Sequence, residues 1–373
     1  MLSRQEYWLW FCNIEELNSP KREELLRIFG SPEAVFEAGE AELTQAGLTA
    51  RQKNGIRKAG REESVKELSE LLIKKEIRFI SREEEEYPKR LRHIYHPPCG
   101  LFVRGRLPKE EAPAIGIVGA RACSVYGREI AQYFAAELSK RGFSVISGLA
   151  AGIDAAAHTG ALKAGGYTAA VLGCGTDQCY PQENLSLYLK LGETGGLLSE
   201  YPPGVPPYRA NFPARNRIIA GLSDGIMVAE ARERSGSLIT ASLALEEGKD
   251  IFSVPGRLGD ALSEGCNRLI QEGAALVMTP EDIVQEYDRF FREKQTTHGG
   301  DEKFYNNLLE TREKIVYANL SLMPKHIDAL AKECKISFSE LTQLLLCLEL
   351  KGYARQVSAN CYAACPDKLL SRG

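Results

Sequence analysis

Residues 115–158 read IGIVGARACSVYGREIAQYFAAELSKRGFSVISGLAAGIDAAAH, and this stretch decides the fold. A β-branched run at 115–118 ends in a glycine turn and is followed by an amphipathic segment at about 126–141. The order then repeats, with a strand at 143–146, a second glycine turn and another helix. This alternation predicts a parallel sheet with crossover helices. Ligands bind at the carboxyl edge of such sheets, where helix N-termini offer N–H groups to anions, so we expect a phosphate-facing surface there.

The same pattern continues on both sides of this stretch. Further strands are predicted at 77–80, 101–104, 168–172, 196–199, 225–228, 250–254 and 275–278. The first two flank an acidic run and a Pro-Pro turn, and we expect them to extend the sheet at one edge. A proline-rich loop is expected before a helix at about 217–222. The chain contains neither GxxxxGK[ST] nor GxGxxG, so the sequence excludes a P-loop nucleotidase and lacks a dinucleotide fingerprint.

Composition limits the function classes. The formal net charge is −3 over 373 residues, so nucleic-acid contacts would have to come from a local basic patch. The ten cysteines form no CxxC pair. No histidine lies close to the cysteine pairs whose spacing comes nearest to that of metal ligands, so we expect neither a metal site nor a cofactor. No signal peptide and no membrane-spanning run is recognisable, which predicts a cytoplasmic protein without membrane contact.

Two helical modules are expected to flank the sheet. Residues 1–75 predict a bundle of the SAM or helix-hairpin-helix type, suited either to DNA backbones or to protein docking. The α/β core covers 76–290, and a polar linker with a double glycine covers 291–303. Residues 304–373 predict three helices followed by a hairpin, the order of a winged helix. Its third helix contains no Arg or Lys, so protein docking competes with DNA reading there.

Four arginines collect near the predicted carboxyl edge, and two aromatic residues lie among them: Arg121, Arg209, Arg215, Arg217, Tyr208 and Phe212. Arginine suits phosphate because its planar guanidinium donates in a fork and stays charged. Aromatic rings beside cations suit unpaired bases. The alternative is a structural loop in which these arginines form salt bridges with Glu200 and Glu230, and the residue chemistry leaves both interpretations open.

Other polar residues at this edge also have both functional and structural interpretations. Asp154 and His158 lie four apart on one helix, which fits a general base or a structural pair that orders the glycine loop. Glu230 follows a strand and fits a catalytic carboxylate, an arginine partner or a helix cap. Ser235, Gly236 and Ser237 begin a helix and fit either a phosphate site or an ordinary N-cap.

The longest motifs resemble the DNA-processing protein A (DprA/Smf) family of bacteria. They occur in the family's order across about 114–280: Val118-Gly119-x-Arg121, Ser147-Gly148-x-Ala150-x-Gly152-Ile153-Asp154 with His158, Gly173 through Tyr180-Pro181, Ser199-Glu200-Tyr201-Pro202, Phe212-Pro213-x-Arg215-Asn216-Arg217-Ile218-Ile219-Ala220, Glu230, Ser235-Gly236-Ser237-Leu238-Ile239-Thr240 and Val254-Pro255-Gly256. The flanking helical and winged-helix modules are similar to those of the family's longer members.

The resemblance implies an extended Rossmann core that binds single-stranded DNA and helps to load RecA in recombination and natural transformation, without being an enzyme. It also implies a homodimer. Carried over, the DNA-binding residues are Gly119, Arg121, Ser147, Gly148, Arg209, Phe212, Arg215, Asn216 and Arg217. Residues implied to support the pocket are Gly152, Asp154, His158, Glu230, Ser235, Gly236 and Ser237.

A related Rossmann group that cleaves nucleoside monophosphates is the main alternative. Members of that group use a PGGxGT turn and a carboxylate. This chain has Pro255-Gly256-Arg257 at the corresponding place, so the catalytic turn is not reproduced. A winged-helix regulator with a ligand-sensing core is a third possibility, disfavoured by the acidic isoelectric point.

Overall fold

The structure, a computed structural model, describes residues 2–60, 62–287 and 311–365. Its centre is a nine-stranded sheet in the order β1-β2-β6-β5-β4-β3-β7-β8-β9. The strands are β1 (Arg78–Ser81), β2 (Gly100–Gly105), β3 (Ala114–Val118), β4 (Ser144–Ser147), β5 (Thr168–Val171), β6 (Gly196–Ser199), β7 (Gly225–Val228), β8 (Asp250–Ser253) and β9 (Ala275–Leu276). Strands β3 to β9 pair in parallel, which confirms the predicted crossover architecture.

The predicted edge extension is also confirmed. Strand β2 pairs antiparallel with β6, and β1 pairs antiparallel with β2 at the outside of the sheet. Strands β3 to β7 are buried along their whole length because helices cover both faces. Buried parallel strands read as continuous apolar runs, which is why the sequence located them to within one or two residues.

Within the described part of the chain, seven helices accompany the sheet: α7 (Val125–Lys140), α8 (Ile153–Lys163), α9 (Leu185–Thr194), α10 (Asn211–Leu222), α11 (Gly236–Glu246), α12 (Glu264–Gln271) and α13 (Pro280–Glu286). The strand order reverses between β3 and β7, because β4 follows β3 on one side whereas β8 lies beyond β7 on the other. A crevice forms at such a switch point, outside the carboxyl ends of the strands.

One helix begins earlier than the sequence predicts. We expect a proline-rich loop up to residue 216, but α10 begins at Asn211 and contains Phe212-Pro213 in its first turn. Proline is tolerated there because the first N–H groups of a helix have no partner within it. The Asn211 side chain donates to the Gly173 carbonyl, so the start of α10 is attached to the turn that follows β5.

The N-terminal module is helical, as predicted. Its helices are α1 (Arg4–Cys12), α2 (Ser19–Phe29), α3 (Pro32–Glu37), α4 (Glu40–Gln45), α5 (Ala50–Ala59) and α6 (Glu62–Lys74). Helix α1 places Trp8, Trp10 and Phe11 in a hydrophobic cluster that also includes Phe79 and Phe102 of the sheet edge. The module therefore packs directly against β1 and β2.

The C-terminal module has the predicted winged-helix order. Its elements are α14 (Thr311–Asn319), β10 (Lys325–His326), α15 (Ile327–Cys334), α16 (Phe338–Leu350), β11 (Ala354–Ser358) and β12 (Cys361–Ala364). Strand β12 lies between β10 and β11 in a small antiparallel sheet. The predicted linker at 291–303 lies outside the described residues. Over the described ranges, no helix is both long and apolar enough to cross a bilayer.

Candidate nucleic-acid interface

A cavity of about 490 Å³ lies at the switch point, where β3 and β7 end. Ten of the sixteen residues predicted for the site and its support line this cavity: Gly119, Arg121, Asp154, Arg209, Phe212, Arg215, Asn216, Ser235, Gly236 and Ser237. Four chain segments that are distant in sequence thus meet at one place. The cavity lies at the edge where the sequence predicts a ligand surface, and ligand binding there stays a prediction.

Asp154 orders the glycine loop after β4. Its carboxylate accepts hydrogen bonds from the backbone N–H groups of Gly148 (3.1 Å) and Ala150 (3.4 Å). Burial raises the pKa of this carboxyl, and the nearby Arg215 guanidinium opposes that effect. Gly152 makes the loop possible, because its φ is +79° and a Cβ there would lie 2.3 Å from the Ala120 carbonyl oxygen.

His158 is not the partner of Asp154, which corrects the expectation of an Asp–His pair. Its Nδ1 lies 2.7 Å from the Thr168 hydroxyl, and that hydroxyl donates to the Val145 carbonyl. The ring is fully buried, and burial lowers its pKa to about 3. A neutral, buried imidazole that holds α8 against the sheet does not serve as a general base for a ligand in the cavity.

Arg121 and Arg209 are the cations that face solvent at the cavity. Both side chains are exposed, and neither forms an ion pair with any residue in the described ranges. The Arg121 guanidinium carbon lies 5.4 Å from the centre of the Phe212 ring, within the range of a cation–π contact. An unneutralised cation beside a half-buried aromatic ring is able to bind a phosphate and an adjacent base together.

Arg215 lines the floor of the cavity, but its hydrogen bonds go to the protein itself. The side chain is 4% exposed, and its guanidinium donates to the carbonyls of Gly148 and Val171 at the ends of β4 and β5. A Cβ at Gly148 would lie 2.6 Å from this guanidinium, so the glycine provides the space for it. The predicted DNA-contact role of Arg215 is corrected to a clamp across two strand ends.

Three other residues predicted to bind DNA do not reach the cavity. Arg217 is buried and forms an ion pair with Glu200 at 2.6 Å. For this arginine, the alternative prediction of a structural salt bridge is confirmed. The Ser147 hydroxyl donates to the Ile117 carbonyl inside the sheet. Gly148 is buried beneath Arg215. These three positions support the site from within the protein.

Among the residues that the structure describes, Glu230 pairs with no arginine, and it does not line the cavity, so both the arginine-partner and the catalytic interpretations are corrected. Its carboxylate accepts from the backbone N–H of Ser124 at 2.8 Å and from the Ser124 hydroxyl. Ser124 is the N-cap of α7, and its Oγ accepts from the Gly127 N–H. Glu230 therefore fixes the start of α7, which is the helix-cap role among those considered.

The start of α11 contributes polar groups to the opposite wall. Ser235 is its N-cap and accepts from the Ser237 N–H, and the two hydroxyl oxygens lie 2.5 Å apart. Asn216 spans from this wall to the floor, because its amide donates to the Gly236 carbonyl and accepts from the Arg215 Nε. Both interpretations of the serine motif are compatible with this placement, since the residues cap a helix and also face the cavity.

Eight cavity residues were not predicted: Val118, Ala150, Tyr180, Pro207, Pro213, Ile219, Ile239 and Thr240. The one aromatic residue among these eight is Tyr180, which is 44% exposed. Helical spacing carried a signal for part of the set. Phe212, Arg215, Asn216 and Ile219 follow an i, i+3, i+4, i+7 pattern on α10, which also excludes Arg217 from the cavity face.

A larger cavity, of about 860 Å³, lies between α1 and the sheet edge. Its lining carries as many carboxylates as cations, namely Glu23, Glu83 and Glu84 beside Arg4, Arg82 and Arg92. Arg4 pairs with Glu83 at 2.7 Å, and Arg82 pairs with Glu23 at 2.7 Å. The switch-point cavity is therefore the better candidate for an anionic ligand. Among the described residues, no group of His, Cys, Asp and Glu side chains is arranged to hold a metal ion.

Comparison with known proteins supplies the relationships of the chain. Residues 78–288 match the family model described as DNA recombination-mediator protein A, and residues 308–360 match the DprA winged helix domain. DNA processing protein DprA of Streptococcus pneumoniae is 48% identical over 202 residues, covering 54% of this chain and 71% of that protein. Protein Smf of Escherichia coli is 40% identical over 281 residues, covering 75% and 74%.

Two solved structures are similar in both sequence and fold. DNA processing protein A from Streptococcus pneumoniae superposes with a TM-score of 0.66 at 36% identity, covering 75% of this chain and 97% of that chain. DNA processing protein A from Helicobacter pylori gives a TM-score of 0.52 at 28% identity, covering 58% and 98%. The Helicobacter structure concerns that protein's single-stranded DNA binding mode.

Proposed function

This chain belongs to the DNA recombination-mediator protein A family, and from that premise we propose that it binds single-stranded DNA in the switch-point cavity. The observation that carries the proposal is Arg121, an exposed cation without an ion-pair partner among the described residues, placed 5.4 Å from the Phe212 ring. The Helicobacter relative, whose single-stranded DNA binding mode has been described, supports the ligand class.

The cavity offers a separate feature for each part of a nucleotide. Arg121 and Arg209 supply positive charge for phosphate oxygens at the solvent side. The N-terminus of α11, with the hydroxyls of Ser235 and Ser237, adds polar groups on one wall. The Phe212 ring supplies an apolar surface on which an unpaired base can stack. Duplex DNA presents no such base, because its bases are stacked on one another.

We further propose that the bound strand is delivered to a RecA-type recombinase by a homodimer of this chain in the cytoplasm, during recombination and natural transformation. In this scheme the protein is a mediator and not an enzyme. The position of Glu230 supports a role other than catalysis, because its carboxylate accepts hydrogen bonds from Ser124 and does not line the cavity. The carboxylate that does line the cavity, Asp154, accepts hydrogen bonds from the Gly148 and Ala150 N–H groups and orders the glycine loop.

The test is fluorescence anisotropy of a labelled oligothymidine with the full chain over a salt series. Arg121→Ala should weaken binding by ~1–3 kcal/mol, because a hydrogen bond to a charged group is lost. It should also lower the slope of log K against log salt by about 0.7, the value expected when one single-strand phosphate contact is removed.

The matched control is Arg141→Ala, which removes an exposed arginine at the end of α7, near the opposite edge of the sheet. It should leave both affinity and slope unchanged. If Arg121→Ala binds as tightly as the unaltered protein with the same slope, the cavity is not the binding site. If the unaltered protein binds no single strand at low salt, nucleoside monophosphates become the ligands to screen for cleavage.

A further inference from the structure

We propose that Tyr180 is a base-stacking residue that forms a two-ring platform with Phe212, an inference that rests on the proposed function. Tyr180 follows the turn after β5 and lines the cavity with 44% of its surface exposed. The centres of the Tyr180 and Phe212 rings lie 5.5 Å apart, and their planes are inclined by 37°. Two neighbouring rings thus line the same cavity as the exposed cations Arg121 and Arg209.

Phe212 is held firmly enough to act as the fixed half of the platform. Arg121 and Arg215 lie 5.4 and 5.9 Å from its ring centre. The ring also packs so closely on the turn after β5 that a Cβ at Gly173 would lie 3.0 Å from its Cδ1. Tyr180 is the more accessible ring of the pair, and so it presents the surface that an incoming base meets first.

The loop that carries Tyr180 is also anchored on both sides. Before it, Lys75 of the N-terminal module forms an ion pair with Asp177 at 2.5 Å. After it, the Gln182 side chain donates to the Cys179 carbonyl, and Asn184 donates to the Leu149 carbonyl. An exposed ring on an anchored loop loses little freedom when a base stacks on it, and low ordering cost raises affinity.

Stacking on this platform distinguishes single strands from duplexes. Every base has a π-face, so rings bind single strands with little regard to sequence, whereas a phosphate contact alone accepts either form. The competing role for Tyr180 is to pack against Phe212 and hold that ring in place without touching DNA. In the stacking role, the contribution of Tyr180 to affinity requires a base in the bound strand, whereas in the packing role it does not.

The experiment measures anisotropy of labelled oligothymidine with the full chain and with three variants. Tyr180→Ala should weaken binding by about 5- to 150-fold, the range measured when a stacking ring is removed. Tyr180→Leu should weaken it similarly, because leucine keeps apolar bulk against Phe212 but has no π-face. Tyr180→Phe should bind as the unaltered protein does, and the salt slope should stay unchanged in all three because no charge is removed.

An oligonucleotide of equal length without bases separates stacking from packing. On this abasic strand, Tyr180→Ala and the unaltered protein should bind equally, because the ring has no base to meet. The matched control is Tyr95→Ala, which removes an exposed tyrosine outside the cavity and should change neither affinity.

Three outcomes would overturn the inference. Equal affinities of Tyr180→Ala and the unaltered protein for oligothymidine exclude a stacking role. Equal weakening on the normal and abasic strands assigns Tyr180 to packing. Absence of binding by the unaltered protein overturns the proposed function and this inference with it, which distinguishes it from the first two outcomes, where binding persists.

Discussion

Replacement of Arg215 by methionine should destabilise the core much more than it perturbs phosphate contacts. Methionine has similar volume but no donors, so the carbonyls of Gly148 and Val171 lose the guanidinium that now satisfies them. Leaving a buried polar group unsatisfied costs about 1–3 kcal/mol. For the two carbonyls, together with the charge lost beside buried Asp154, we expect a loss of ~3–5 kcal/mol in the free energy of unfolding.

Differential scanning calorimetry of the full chain measures this effect. For a unit of 150–250 residues, each kcal/mol lowers the melting temperature by roughly 2–4 °C, so Arg215→Met should lower it by roughly 6–20 °C. The salt slope of single-strand binding should remain that of the unaltered protein, because a buried guanidinium that donates to carbonyls contacts no phosphate. Arg121→Ala provides the opposite pattern, with an unchanged melting temperature and a reduced slope.

One result would refute the clamp. If Arg215→Met melts within ~2 °C of the unaltered protein and at the same time lowers the salt slope, then Arg215 contacts DNA and its carbonyl contacts contribute little. Arg215→Lys adds a second check. It keeps a positive charge but loses the Nε–H that donates to Asn216 and the planar group that aims Nη1 at both carbonyls, so it should also destabilise the core.

Two further changes test the packing around the site. His158 should make stability fall below pH 7: its folded pKa of about 3 lies under the unfolded value of 6.5, so the unfolded chain binds the extra proton and stability is lost as the pH falls. The free energy of unfolding should fall by about 2 kcal/mol between pH 7 and pH 5. Urea unfolding at pH 7 and at pH 5 measures this fall, which should be smaller in the variant His158→Gln. Ser19→Ala should cost ~1–3 kcal/mol, because the Ser19 hydroxyl donates to buried Glu200 and accepts from Arg217, both at 2.9 Å. Ser242→Ala, at an exposed helix position, is the control for Ser19, and a difference below ~0.5 kcal/mol between the two variants would contradict this reasoning.

The sheet was predictable because its signals are local. A buried parallel strand is a short apolar run that ends at a turn, and strands β6 and β7 lie where the sequence places them, at 196–199 and 225–228. The start of α10 was missed because prolines precede it and one lies in its first turn, where proline is compatible with a helix as well as with a loop. In a helix that starts at residue 211, the helical period places Arg215 and Asn216 on a different face from Arg217.

The roles of the arginines were not predictable, because their partners come from remote parts of the chain. Arg215 donates to a carbonyl 67 residues away, and Ser19 lies 198 residues from Arg217. No local pattern reports which of several arginines near a sheet edge will find such partners. Tyr180 was missed for a similar reason, since its proximity to Phe212 depends on how the turn after β5 meets the start of α10.

The carboxyl edge of a parallel sheet explains why arginines divide into two groups there. The same edge that points helix N–H groups at a ligand also leaves the last strand carbonyls without partners in the ladder, and each buried carbonyl needs a donor. Arg215 meets that need at β4 and β5 and is thereby withdrawn from solvent, whereas Arg121 and Arg209 form no ion pair in the described ranges and stay exposed. The arginine that satisfies the strand ends is therefore separate from the exposed cation beside Phe212, Arg121, which is the one we propose to meet a phosphate.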